Sequence, residues 1–369
     1  MKSRLIIAAA GSGKTRFLIK EAFNTDKTIL ITTFTEDNER EVKKRFIEEK
    51  GYIPSNVTVQ TWFSFLLQHG VKPYQSSIID DEIKGLILVN ERSGVKYNNG
   101  KNKYYYGEND PKHYYFNSLM QIYSDKISKF VFSVNEKTNG DVIDRIKRIY
   151  NNIYIDEVQD LAGYDLEIIK LLLKENVNML LVGDPRQVTY HTHEEAKNKK
   201  YAEGAIERFI IEQCKSCNIS VDKETLNISY RNQKKICALA NSIFPEEIPC
   251  GYIEHEITGH DGVFFVNSKD VDYYLSRYKP VQLRDSAKRK VNNNYPVSNF
   301  GKSKGLTFQR VLIYPTKPMI EWIVNNKELV ASSKSKLYVA ITRAVHSVAF
   351  VYDDSEGKTI RNIKTYIRD

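Results

Sequence analysis

Cysteine is scarce in these 369 residues: Cys214, Cys217, Cys237 and Cys250 are too few and too clustered for a secreted disulfide scaffold, and a reducing, cytoplasmic setting is expected. Cys214 and Cys217 form a C-x-x-C, but no second pair and no nearby His pair completes a zinc site. Long apolar runs are also lacking. No stretch of about 18 apolar residues offers a membrane span. The opening MKSRLIIAAAGSG has too short an apolar middle for a signal peptide and leads straight into Gly-Lys-Thr. Internal repeats, a collagen-like period and long charged tails are absent as well, which excludes solenoid and fibrous classes.

What remains is an ordinary soluble composition, 41% hydrophobic and 27% charged, long enough for two or three compact domains. The net charge of +9 is a moderate bias toward polyanionic partners. Four apolar runs stand out: LIIAAA (5–10), TILITTFT (28–35), IYIDE (153–157) and MLLVGD (179–184). Each reads as a buried strand ending in a polar loop. Helix-like stretches over Arg16–Phe23, Glu36–Glu49 and Tyr164–Glu175 lie between them, which is the alternation of a parallel α/β sheet. Sites in such sheets lie at the carboxyl ends of the strands. A second α/β region is expected from about Ser220, with strands GVFFVN (262–267), RVLIYP (310–315) and SVAFVY (347–352), and a hinge near Cys214–Asp222.

AAAGSGKT (8–15) follows a strand and opens a helix, the context a phosphate loop requires, although Ala8 stands where the usual first Gly would be. Gly11 and Gly13 let backbone N–H groups close on phosphates, Lys14 supplies a point charge and Thr15 a hydroxyl for Mg²⁺. The neighbouring Ala10, Ser12 and Arg16 complete the ATP-binding set. IYIDEVQD (153–160) delivers two adjacent carboxylates from a strand end: Asp156 for the Mg²⁺ shell, Glu157 to orient and deprotonate the attacking water. In LLVGDPRQ (180–187), Gln187 is placed to sense a γ-phosphate and Asp184 to support the metal; the same residues also read as a simple turn.

The order TTFTEDNEREVKKR, VQTWFSF, IDEVQD, VGDPRQ, ISYRN, KSKGLTF, LYVAITRA resembles the superfamily 1 helicases of the UvrD/Rep/PcrA type across nearly the whole chain. The resemblance implies an α/β fold of two RecA-like P-loop domains with parallel sheets, clamping ATP in their cleft while single-stranded nucleic acid lies across both. On it, Tyr230 stacks on adenine, Arg231 and Arg343 reach the γ-phosphate, and Glu157 and Gln187 complete the catalytic set. Thr33, Phe34, Thr35, Thr61, Trp62, Tyr190, Ser303, Lys304 and Gly305 then meet the strand. For Phe34 and Trp62 a place in the core is the competing reading. The implied activity is an ATP- and Mg²⁺-dependent translocase or helicase on single-stranded DNA, or RNA, with 3′-to-5′ polarity.

The domain boundaries expected are 1–69 with 153–215 for the first RecA-like domain, 70–152 for a small insertion, and 220–369 for the second, with a short insertion at about 245–297. Departures from the family pattern point to a near-minimal core. Only seven residues precede Ala8, where the family reads the adenine edge. Phe63, Gly301 and Thr307 replace family polar residues, and Thr192 and His193 follow Tyr190 where a stacker and an arginine are usual. Only 232–303 separates Arg231 from Lys304, so the large accessory domain of the second half is absent. These departures favour an alternative, an ATP-gated binding subunit of a larger complex, for example with a nuclease. The stretch 96–116, with Lys96, Lys101, Lys103 and Lys112 among six tyrosines, reads either as a nucleic-acid or partner surface or as a polar subdomain whose tyrosines face their own core. The basic run 283–294 reads as a solvated loop or a contact.

Overall fold

The computed structural model describes residues 2–188, 197–353 and 363–368. Two compact units divide it, and each is built on a six-stranded sheet.

The first sheet is formed by β1 (Ser3–Ile7), β2 (Ile29–Thr33), β3 (Val57–Thr61), β4 (Asn152–Ile155), β5 (Asn178–Gly183) and β6 (Ile219–Asp222), in the spatial order β6-β1-β5-β4-β2-β3. The pairs β1/β6, β2/β3, β2/β4 and β4/β5 are parallel. Strands β2 and β4 are buried at every position, as expected where helices cover both faces of a parallel sheet. Strand β3, at the edge, instead alternates buried and more exposed positions. The helices are α1 (Lys14–Phe23), α2 (Glu36–Lys50), α3 (Trp62–Leu66), α4 (Ile127–Lys137), α5 (Asp141–Ile149) and α6 (Tyr164–Lys174).

Local chemistry fixes these helices. The Thr35 hydroxyl caps α2 by accepting from Asn38 N–H at 3.1 Å, three acids sit in the first turn, and Gly51 at φ 80 closes the end through its N–H to Ile47 O. Helix α4 buries Phe130, Val131 and Val134 completely, and a Cβ at Gly70 would lie 2.7 Å from both Val131 methyls. The stretch 70–152 therefore contributes to the core of the first unit through α4 and α5 as well as carrying short surface strands. Its tyrosines divide. Tyr114 and Tyr115 are buried, Tyr115 in edge contact with Phe130 at 5.2 Å, whereas Tyr97 and Tyr104 are exposed.

The second sheet holds β7 (Gly262–Val266), β8 (Val281–Arg284), β9 (Val297–Asn299), β10 (Phe308–Ile313), β11 (Ala344–Val351) and β12 (Lys364–Thr365), ordered β9-β8-β10-β11-β7-β12 with all five pairings parallel. Helices α7 (Lys234–Asn241), α8 (Val271–Tyr278), α9 (Lys317–Asn325) and α10 (Ala331–Ile341) cover it. The two-residue period divides the strands between two cores: Val311, Ile313, Val348 and Phe350 pack with Trp322, Leu337 and Ile341, while Leu312, Ala349 and Val351 pack with Tyr274 and Leu275. The second unit also takes in Ile7–Gly13 and 184–188. The stretch 232–303 is occupied by α7, β7, α8, β8 and β9 and has no room for a large accessory domain. Both units are thus α/β, each built on a parallel sheet flanked by helices.

No helix among the described residues is long and apolar enough to cross a membrane. All four cysteines are free.

Candidate nucleotide site and strand contacts

In the first unit the end of β4 comes against the start of α1. Thr15 Oγ1 donates to Asp156 Oδ2 at 3.0 Å, and Glu157 N–H donates to Asp156 Oδ1 at 2.9 Å. Asp156 is buried; burial, and then the charge of Glu157, push its carboxyl up to about 6, while Lys14 pulls the other way. The loop turns at once into α1, with Gly11 at φ 72 and Gly13 at φ 82, left-handed positions that glycine adopts without steric cost. The buried Ser12 hydroxyl has no hydrogen-bond partner, which suits a site built to receive a polar ligand. Within the first unit, Lys14 offers a charge suited to phosphate and the Thr15–Asp156 oxygen pair suits a hard cation. Ala10, in the loop, is buried in the core of the second unit. Arg16, on α1, has a largely exposed side chain that lies 3.5 Å from Glu49.

Glu157 sits at φ 55, ψ 41, a left-handed conformation that non-glycine residues rarely adopt and that is held only by strong surroundings. The surroundings are visible. Gln159 Nε2 donates to Glu157 Oε2, and Gln159 itself packs on Gly183 at the end of β5. A Cβ at Gly183 would collide with Gln159 Oε1 and lie 2.9 Å from Val158 Cγ1. Gly183→Ala is therefore expected to displace Gln159 and release Glu157. Nucleotide turnover should fall about tenfold or more while melting changes by only the modest cost of overpacking, about 1–3 kcal/mol. Unchanged turnover in a folded Gly183→Ala protein would remove Gln159 from the site.

In the second unit, the loop and three distant motifs are joined by hydrogen bonds. Tyr230 N–H donates to Gly11 O at 2.9 Å, and a Cβ at Gly11 would lie 2.6 Å from Arg231 Cβ, so this loop position excludes any side chain. Asn232 Nδ2 donates to Thr342 O and Ala344 O, and Arg231 Nη1 to Thr342 O, which ties ISYRN to AITRA across more than a hundred residues. The Tyr230 ring remains 60% exposed, open to a stacking partner.

Gln187 is buried, with Nε2 donating to Asp184 Oδ2 at 2.8 Å and Oε1 accepting from Arg343 Nη2 at 3.2 Å. Arg343 is fully buried and also donates to Val339 O and Leu306 O. The carboxylate of Asp184 is taken up by Arg186 Nε at 2.7 Å, by Gln187 and by the Tyr338 hydroxyl at 3.1 Å. It organises Gln187 within the second unit. Burial would lower the Arg186 guanidinium, but Asp184 beside it outweighs this and keeps it charged; burial drives the Tyr338 hydroxyl well up. Gln159, Gly183, Arg186, Asn232 and Tyr338 were all inside recognisable motifs, yet nothing in the residue pattern singled them out, because each acts by holding a neighbour.

The strand residues are more scattered. Phe34 is partly buried, edge-on to Phe63 at 5.4 Å. Thr33 lies buried with its hydroxyl unpartnered, Thr35 is the exposed cap of α2, and Thr61 caps α3 by accepting from Ser64 N–H at 3.1 Å. Trp62 must be corrected. It is 1% exposed, with Nε1 donating to the fully buried Asp165 Oδ1 at 2.7 Å, so its ring fills the core and does not meet a base. Ser303 is likewise buried, its hydroxyl bonded to Phe300 O at 2.7 Å as part of the turn Gly301–Ser303. It shapes the loop that presents Lys304 and the exposed Gly305, at φ 83. Tyr190, with Thr192 and His193, lies outside the described residues.

Comparison with known proteins matches residues 116–204 to the family described as the UvrD/REP helicase N-terminal domain. A probable DNA helicase of Mycoplasma pneumoniae is 23% identical over 237 residues, which is 56% of this chain and 44% of that protein. A probable DNA helicase II homologue of Mycoplasma capricolum subsp. capricolum is 24% identical over 293 residues, 64% of this chain and 38% of that one. The chain thus spans less than half the length of either. Among solved structures, arterivirus nonstructural protein 10 (helicase) in complex with DNA is similar with a TM-score of 0.48 at 13% identity, over 96% of this chain and 62% of that one.

Proposed function

We propose that this chain, which resembles the UvrD-like superfamily 1 helicases, is an ATPase that uses hydrolysis to step along single-stranded nucleic acid, DNA in the first instance, with 3′-to-5′ polarity taken from the resemblance. The observation that carries this reading is the convergence of Thr15, Asp156 and Glu157 beside Lys14 at the end of a glycine-bent loop.

Thr15 and Asp156 would hold Mg²⁺, which neutralises phosphate charge when bound. Lys14 holds the terminal phosphates, and Glu157 orients the attacking water and takes its proton. Arg343 and Arg231 carry the charge that stabilises the transferring phosphoryl group, with Gln187 registering its presence through the hydrogen bond to Arg343. Tyr230 offers its exposed ring to adenine. Lys304, Gly305, Phe34 and the threonines at the ends of β2 and β3 are the strand contacts that remain once Trp62 and Ser303 are assigned to packing.

A second reading, a strand- or partner-gripping subunit that hydrolyses slowly and unwinds little, is favoured by the absence of a large accessory domain within 232–303. Phosphate release with and without DNA or RNA strands, followed by displacement of tailed duplexes of each polarity, separates the two. Strand-stimulated turnover supports the motor, and turnover indifferent to strands across a range of salt rejects it. Lys14→Ala should weaken nucleotide binding about ten- to hundredfold, the worth of a charge-assisted contact. Binding by the Lys14→Ala protein equal to wild type would place the phosphates elsewhere.

A further inference from the structure

The geometry points to a second contact for single-stranded polynucleotide, on the β-hairpin Val95–Asn98/Lys103–Tyr105 of the first unit. It rests on the reading of the chain as a nucleic-acid motor, but uses a surface that none of the helicase-like motifs includes.

From Arg92 to Tyr106 the chain carries Arg92, Lys96, Lys101, Lys103 and four tyrosines, with no Asp or Glu. The ribbon is well anchored at its base. Ser93 N–H donates to Asp125 Oδ2 at 3.0 Å, Tyr106 N–H donates to Gly94 O at 2.9 Å, the Tyr106 ring stacks on His113 at 4.7 Å, and Arg92 lies over the Tyr105 ring at 4.1 Å. Its tip is shaped by two asparagines: Asn98 Oδ1 accepts from Gly100 N–H, and Asn99 Oδ1 from Lys101 and Asn102 N–H, with Gly100 at φ 83. A flexible loop would lose entropy on meeting a ligand; a ribbon fixed at both ends loses less.

Tyr97 and Tyr104 are cross-strand partners, so both rings stand on one face of the ribbon. Their centroids are 6.1 Å apart at an interplanar angle of 31°, and the residues are 60% and 53% exposed. Two large rings held side by side in water, uncovered by the protein's own core, form a stacking platform. Lys96 and Lys101 are in no ion pair among the described residues, while Lys103 is engaged by Glu91. Rings that accept any base, bordered by cations without a carboxylate in the ribbon, match bases and phosphates together. A protein partner would meet the same rings but would have no need of Lys96 and Lys101 beside them.

The test uses the full chain and short labelled oligothymidine and oligouridine in fluorescence anisotropy at two salt concentrations. Tyr97→Ala/Tyr104→Ala should bind at least about fivefold more weakly, and Tyr97→Phe/Tyr104→Phe should restore binding, since stacking needs the ring and not the hydroxyl. Lys96→Ala/Lys101→Ala should lower the slope of log affinity against log salt by about 1.4, two single-strand phosphate contacts. Strand-free nucleotide turnover should stay at the wild-type level in all variants. If the double alanine variant binds both oligonucleotides as tightly as wild type, the hairpin contact is overturned and the motor reading stands. If wild type binds neither oligonucleotide, both fall.

Discussion

Replacing Glu157 with Gln should leave ATP binding at the wild-type level and lower turnover by about a hundred- to ten-thousandfold, the usual worth of a positioned general base. The substitution is nearly isosteric. It leaves Lys14, the loop and the Thr15–Asp156 pair as they are, and Gln retains an amide oxygen to accept from Gln159 Nε2. What it removes is the proton acceptor. Nucleotide binding and single-turnover phosphate release, measured on the same preparation, separate the two effects. Full turnover in the Glu157→Gln protein would sink the assignment of the base.

Arg343→Lys is the second large effect. An arginine that stabilises the transferring phosphoryl group contributes about a thousand- to a hundred-thousandfold in related phosphoryl-transfer enzymes, and Lys keeps the charge while losing the fork. Arg343 also has a structural share, because its guanidinium donates to Leu306 O, Val339 O and Gln187 Oε1 in a buried setting. Part of any loss is thus the cost of unsatisfied acceptors, about 1–3 kcal/mol, and it will appear in thermal melting. The catalytic share is what remains in turnover once melting is matched. Gln187→Ala combined with Arg343→Lys should be much less than additive, since the two act as a pair. Wild-type turnover in the Arg343→Lys protein, or full additivity, would detach this arginine from the reaction.

How far the chain could be read without its structure depends on the range of each signal. The β-strand ends that carry GKT, DE and GDPRQ were legible because a buried parallel strand leaves a local apolar run, and its loop follows at once. The strands Val57–Thr61, Ile219–Asp222 and Val281–Arg284 carry polar residues in their short spans and left no such run. Trp62 shows the limit at the site. Its sequence neighbours suit a strand contact, and its indole partner Asp165 stands 103 positions away on α6, where no period or spacing connects the two. The same holds for Tyr338 and Asp184, 154 positions apart. Pairings of this kind are set by tertiary packing, so a motif can show which residues gather and still misassign what each one touches. The left-handed backbone of Glu157 was equally silent, because glutamate has no preference for it.

The sheet order β6-β1-β5-β4-β2-β3 has a consequence for synthesis. Strand β1 leads directly into the glycine-bent loop, yet its two neighbours are Asn178–Gly183 and Ile219–Asp222. A ribosome adding about 5–20 residues per second needs about ten to forty seconds to pass from β1 to Asp222. Through that interval β2, β3 and β4 can assemble, while β1 waits for Asn178–Gly183 on one edge and keeps the other open until Ile219–Asp222 is made. The loop that follows β1 is thus made well before the sheet around it can be finished, and a nascent chain stalled before residue 219 would display one open edge of an apolar strand to whatever chaperone or edge it meets first.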